Sequence, residues 1–134
     1  MTQKETIQLL IEEAFKRGNL NVLKNIIHPD YRYQSPTESM RGLDDLMGFI
    51  VALRAAFPDL QIKIDDQIEE DESVVTKLTM NGTQKGEFLD LPATGKAVQL
   101  QGVVISRFEE GLIKEEWELL DQLALLQQLG VVQS

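Results

Sequence analysis

The polar and apolar positions of the chain change period near its middle. In the N-terminal part the period is helical. Ile7, Leu10, Ile11, Ala14 and Phe15 fall on one face of a helix, and Thr2 stands three residues before Glu5, a capping-box spacing. Gly18-Asn19 stops that helix. A short second one, over 20–27, carries Leu20, Leu23, Ile26 and Ile27 and ends at His28-Pro29. Residues 31–34 form a short extended piece before a loop with Pro36 and Gly42. A third helix is predicted over 43–57, its buried side marked by Leu46, Phe49, Ile50, Leu53 and Phe57, and broken by Pro58.

After Asp59 the period is two. Leu60, Ile62 and Ile64 alternate with polar residues, as do Val74, Thr76, Leu78 and Met80. The acidic stretch 69–72 between them reads as a solvated hairpin tip. A further strand or turn is expected over 81–91. A long strand follows over 98–108, expected to bend and change face at Gly102. The last strand covers 112–120 and a closing helix 122–129. Helices followed by antiparallel strands define an α+β domain. The expected build is one domain, residues 1–134, in which a curved antiparallel sheet wraps the N-terminal helices around an apolar pocket. Gly82, Gly86, Gly102 and Gly111 are available for the curvature.

Composition narrows the chemistry. The 134 residues include no cysteine and one histidine, which removes thiolate nucleophiles, cysteine-rich zinc sites and two-histidine metal motifs within the chain. The expectation is a site without metal or cofactor. A net charge of −9 repels phosphate backbones and anionic lipid, so neither nucleic acid nor a membrane is an expected partner. The first residues lack the pattern of a signal peptide, and a cytoplasmic location is the default.

Strict alternation in the last strand puts Ile113, Glu115, Trp117, Leu119 and Asp121 on one face. The tryptophan marks that face as the interior. Glu115 and Asp121 would then lie about 20 Å apart, too far for a two-carboxylate dyad. A carboxylate beside an indole in an apolar pocket is held towards its protonated form, which suits it for proton transfer near neutral pH. Asp121 has a second reading as the cap of the helix starting at Gln122. Gln84 shares parity with Leu78, Met80 and Phe88 and is expected to point inward. There its amide needs partners, from the protein, water or a ligand. His28, at a helix end, is read as a structural residue.

Several stretches in order resemble the SnoaL-like polyketide cyclases (ester cyclases) of the nuclear-transport-factor-2-like superfamily. They are Phe57-Pro58-Asp59-Leu60, Gly82-Thr83 with Gly86-Glu87-Phe88, and residues 91–96 (LPATGK). Arg107-Phe108, Gly111-Leu112-Ile113, Glu116-Trp117, Asp121 and Gln128-Leu129-Gly130-Val131 follow. The resemblance implies an α+β cone around an apolar cavity and a homodimer packed through the sheet. It implies cofactor-free aldol chemistry with Asp121 as the general acid–base. The family commonly has histidine where this chain has Gln84, and another where it has Gln34. Glutamine can orient a carbonyl but cannot take up the proton a histidine would.

The expected function is therefore cofactor-free acid–base chemistry, an aldol cyclisation or isomerisation, on a small apolar carbonyl or aromatic compound. Asp121 would carry the proton. Gln84 and Gln34 would position the oxygen, and Trp117, Phe88, Met80 and Phe49 would form the wall. The competing readings are a non-catalytic binder of a hydrophobic small molecule and a dimeric scaffold without a ligand. An epoxide hydrolase would need an aspartate–arginine–aspartate set, for which no arginine has inward parity beside Asp121.

Overall fold

The computed structural model describes residues 1–133. Helix α1 (Gln3–Leu9) starts in the expected capping box: Thr2 accepts from the Glu5 amide, and Glu5 accepts from the Thr2 amide. The helix runs on as a wider π-helical stretch over Leu10–Lys16. Ile7, Leu10, Ile11 and Ala14 are buried, as their spacing predicts. A 3₁₀ turn (Leu20–Val22) leads into the single turn α2 (Leu23–Ile26). Strand β1 (Ile27–Gln34) starts earlier than the sequence suggests and includes His28-Pro29. The short strand β2 (Ser39–Arg41) precedes α3 (Gly42–Ala56).

The remaining strands are β3 (Gln61–Glu70), β4 (Ser73–Thr83), β5 (Ala97–Glu109) and β6 (Leu112–Leu120), closed by α4 (Gln122–Gln128). They form one six-stranded, curved, unclosed sheet of order β2-β1-β6-β5-β4-β3. All neighbours are antiparallel except β1 and β6, which run parallel. The β3–β4 hairpin turns at Asp71, in the acidic tip the pattern indicates. Its exposed position makes that run a solvated surface.

Two strand readings are corrected. In β5 the faces do not change at Gly102. Val98, Leu100, Gly102, Ser106 and Phe108 are all buried, so the even positions face inward throughout. The apolar Val103 and Ile105, which suggested a switch, lie on the other face. The switch occurs in β6. Phe108 pairs with Ile113 but Arg107 pairs with Glu115, which leaves Lys114 as an extra, unpaired residue. This bulge reverses the parity of everything after it. Ile113 is fully buried; beyond the bulge Trp117 and Leu119 are 42% and 51% exposed. Glu116, Glu118 and Leu120 take the inner face.

Residues 84–96 form no regular strand apart from a bridge between Phe88 and Leu91. The loop lies close against the end of α3: the Lys85 and Gly86 amides both donate to the Ala56 carbonyl. A Cβ at Gly86 would come within 2.9 Å of the Ala55 carbonyl oxygen, so glycine is required there for close approach.

Candidate active site

Between the inner face of the sheet and the helices lies a cavity. The space open to water centres is about 100 Å³, several times the ~10–15 Å³ that one water needs. Its wall is mostly apolar, with Ile7, Leu10 and Phe15 from the N-terminal helix, Phe49 and Leu53 from α3, and Ile62, Leu78 and Met80 from the sheet. Phe88 closes part of it from the 84–96 loop and packs edge-on against Phe57 at 5.4 Å between ring centres. Among the described residues, the wall includes no lysine, arginine or histidine. Its ionisable members are Tyr31, Tyr33, Glu116 and Glu118.

These four stand on adjacent parallel strands, where Tyr33 is in register with Glu116. On each strand the two residues are two apart and therefore share a face. The Tyr31 hydroxyl donates to Glu116 Oε1 at 2.9 Å, and the Ser106 hydroxyl of β5 donates to Glu116 Oε2 at 2.7 Å. The Tyr33 hydroxyl donates to Glu118 Oε1, and its ring stacks on Phe49 with centres 6.3 Å apart. Glu118 Oε2 has no hydrogen-bond partner among the described residues, yet no buried side-chain polar atom there lacks one, so this oxygen reaches open space.

Burial raises the Glu116 carboxyl to about 7. The hydrogen bonds from Ser106 and Tyr31 work against that rise, and the charge of Glu118 adds to it. Burial also raises Glu118, opposed by the bond from Tyr33 and reinforced by Glu38. Both tyrosines are pushed well above the ordinary phenol value, first by burial and then by their glutamate partners. They are therefore lasting hydrogen-bond donors.

The residues singled out from sequence divide into two groups. Phe49, Met80 and Phe88 line the cavity. Gln84, Gln34, Trp117 and Asp121 do not. Gln84 is fully buried, but its amide is consumed within the protein. Nε2 donates to the Leu91 carbonyl at 3.2 Å, and Oε1 accepts from the Thr94 hydroxyl at 2.8 Å and the Thr94 amide at 3.2 Å. It pins the loop that carries Phe88. Gln34 and Trp117 are paired in register and lie in a groove on the sheet's outer face with Arg32, Arg41 and Arg107. Asp121 is exposed, and its Oδ1 accepts from the Ala124 amide at 3.0 Å as the N-cap of α4. His28 is clear of the cavity wall. Its Nε2 lies 2.9 Å from Glu109 Oε2, and its Nδ1 accepts from the Asp30 amide.

Sequence reasoning missed both glutamates and both tyrosines, because strict alternation assigned Glu116 and Glu118 to the outer face. One signal was present: Tyr31 and Tyr33 alternate as Glu116 and Glu118 do. Among the described residues, no three histidine, aspartate or glutamate side chains converge as metal ligands, and no helix is long and apolar enough to cross a membrane.

Known proteins resemble this chain over nearly its whole length. The SnoaL-like polyketide cyclase family model matches residues 5–129. Aklanonic acid methyl ester cyclase DnrD of Streptomyces peucetius is 25% identical over 96% of this chain and 91% of its own. Among solved structures, TsrD from Streptomyces laurentii superimposes with a TM-score of 0.86 at 29% identity, covering 98% of this chain and 100% of its own. IdmH from Streptomyces antibioticus gives 0.83 at 28% identity, covering 97% and 99%. With the sheet, the helical cover and the cavity between them in place, the chain belongs to the SnoaL-like polyketide cyclase family.

Proposed function

We propose that the chain performs cofactor-free acid–base chemistry, an aldol cyclisation or isomerisation, on a small and largely apolar carbonyl compound held in this cavity. The observation that carries the reading is the composition of the wall. An apolar enclosure selects an apolar substrate, and the ionisable groups in it are carboxyls and phenols, one carboxyl held near neutrality. A general acid–base works best with a pKa near the working pH. The ester cyclase relative supports the same class of reaction.

The family resemblance nominates Asp121 for proton transfer. In this chain that carboxylate is exposed and engaged in capping α4, so the proposal rests on the carboxyls inside the cavity. The test uses 2-tetralone, an apolar aromatic ketone, in D₂O. Exchange of its α-protons, followed by NMR, is expected to be faster with the protein than in buffer alone, and 2-naphthol, which resembles the enol, is expected to inhibit it. Binding of both compounds with no exchange would favour the non-catalytic binder.

The outer face of the sheet supports a second element of the proposal, a homodimer. Trp117 faces Ile105 across the β5–β6 pair, and Leu119 faces Val103. Together they make an apolar cross-strand patch in which Val103, Trp117 and Leu119 are exposed.

A further inference from the structure

Within this reading of the cavity, its four ionisable side chains have separable roles. We propose that Glu118 is the catalytic base, acting through Oε2, that the Tyr33 hydroxyl is the donor to the oxyanion formed, and that Glu116, both of whose oxygens are held by Tyr31 and Ser106, takes no part in the proton transfer.

The assignment follows from which atoms are free. Both Glu116 oxygens accept hydrogen bonds from the protein, from Tyr31 and from Ser106. Glu118 accepts through Oε1 alone and leaves Oε2 open. A base must bring an oxygen within hydrogen-bond reach of the proton it removes, and among the described carboxylates lining the cavity only Glu118 has an oxygen without a protein partner. When Oε2 takes the α-proton, the C–H bond breaks and an O–H bond forms on Glu118. The C–H electron pair moves through the α-carbon to the carbonyl oxygen as an enolate. Glu118 has then lost the charge that held the Tyr33 hydroxyl, and a charge has appeared on the substrate oxygen in the same enclosure. The hydroxyl follows the charge and donates to the enolate, keeping its own proton. Return of the proton from Glu118 to carbon gives an isomer or exchanged ketone. Attack of the enolate carbon on a second carbonyl, with that proton delivered to the new alkoxide, gives an aldol. Neither route needs another reactant.

Glu116 responds to the charge of Glu118. It stands two residues from Glu118 on the same strand face, about 7 Å along the strand. Two carboxylates in an apolar enclosure resist simultaneous ionisation. The groups facing the pair are Tyr31 and Tyr33 on β1, Ser106 on β5, and Glu38 between β1 and β2, whose charge acts on Glu118. None of these is cationic, and the helices over the cavity place no charged side chain in its wall. The charge on Glu118 therefore pushes Glu116 towards its protonated form.

The test measures α-proton exchange of 2-tetralone against pH for the wild type, Glu118→Gln, Tyr33→Phe, Glu116→Gln and the outward-facing control Glu115→Gln. The expected results are a loss of at least about 100-fold in Glu118→Gln and about 10-fold in Tyr33→Phe, and no change in Glu115→Gln. Glu116→Gln, which keeps a neutral polar group between Tyr31 and Ser106, is expected to keep exchange within about threefold of wild type; a loss like that expected of Glu118→Gln would overturn the choice between the two glutamates. Exchange within threefold of wild type in Glu118→Gln overturns the assignment and leaves the enzymatic reading standing. Absence of exchange by the wild type overturns both. As a check that needs no variant to fold, ¹³C-carboxyl NMR of the wild type should show the two glutamates titrating in linked steps above the ordinary carboxylate range. Ionisation of both within that range overturns their burial in the cavity wall.

Discussion

Burial raises the carboxyl of Glu116, and this makes folding depend on pH in a fixed direction. Its carboxyl stands at about 7 in the folded chain against 4.5 ordinarily. The folded state thus holds a proton that the unfolded state has already released. This contribution to stability is fully present below pH 4.5 and is lost as pH rises to about 7. At about 1.4 kcal/mol per pK unit the loss reaches roughly 3 kcal/mol. Glutamine is nearly isosteric, can keep partners in Tyr31 and Ser106, and does not titrate. Glu116→Gln is therefore expected to gain stability relative to wild type between pH 5 and pH 8, by up to about that amount. Urea unfolding at the two pH values measures it, and an unchanged difference would deny the burial argument. Gln84 has the opposite character, a buried polar group fully matched by its surroundings. Gln84→Leu leaves the Thr94 hydroxyl and the Leu91 carbonyl without their partner, which costs about 1–3 kcal/mol. In the same unfolding experiment the loss should be nearly independent of pH.

The decisive element is β6, and in it the decisive feature is one extra residue. Lys114 is unpaired with β5, while its ammonium reaches Glu109 at 3.2 Å, beside His28. Deleting Lys114 would leave Glu115, Glu116 and Trp117 opposite Arg107, Ser106 and Ile105 as they are now, in a strand that alternates strictly from Ile113 onward. Both glutamates would stay inside and the tryptophan outside. The expected outcome is a chain that unfolds cooperatively and keeps the tryptophan fluorescence of an exposed indole; a shift of that emission to the blue would show that the faces after Ile113 depend on Lys114 itself. The same bulge explains how far the sequence could be read. Helix starts and stops, the hairpin at Asp71 and the buried faces of α1, α3 and β4 depend on local spacing, and were legible. So was the apolar wall at Phe49, Met80 and Phe88. A bulge leaves no mark in composition: Leu112 to Leu120 alternates equally well in either register, and a lone tryptophan gave the wrong one. The parallel β1–β6 pairing that brings Tyr31 to Glu116 joins residues 85 apart, and no local pattern encodes it.

On the scale of the whole molecule, the residues turned outward by the bulge matter as much as those turned in. Each copy carries a net charge of −9, so two copies repel one another unless they meet where charge is balanced and surface is apolar. The outer face of β5 and β6 offers such a place. Val103, Trp117 and Leu119 are 36%, 42% and 51% exposed, and Arg32, Arg41 and Arg107 line the groove that holds Trp117. A tryptophan at the centre of an apolar patch is the kind of side chain that dominates association energy. A dimer formed there would be opposed by the long-range repulsion of the remaining acidic surface, which salt screens within about 10 Å at 0.1 M. Association is therefore expected to tighten as salt is raised, the reverse of an interface held by ion pairs. Sedimentation equilibrium at low and high salt measures this directly. Trp117→Asp should give a monomer at micromolar concentration while keeping the fold, because the replaced side chain lies outside the core and the cavity. A dimer that survives the substitution, or that weakens with salt, would place the interface elsewhere on the molecule.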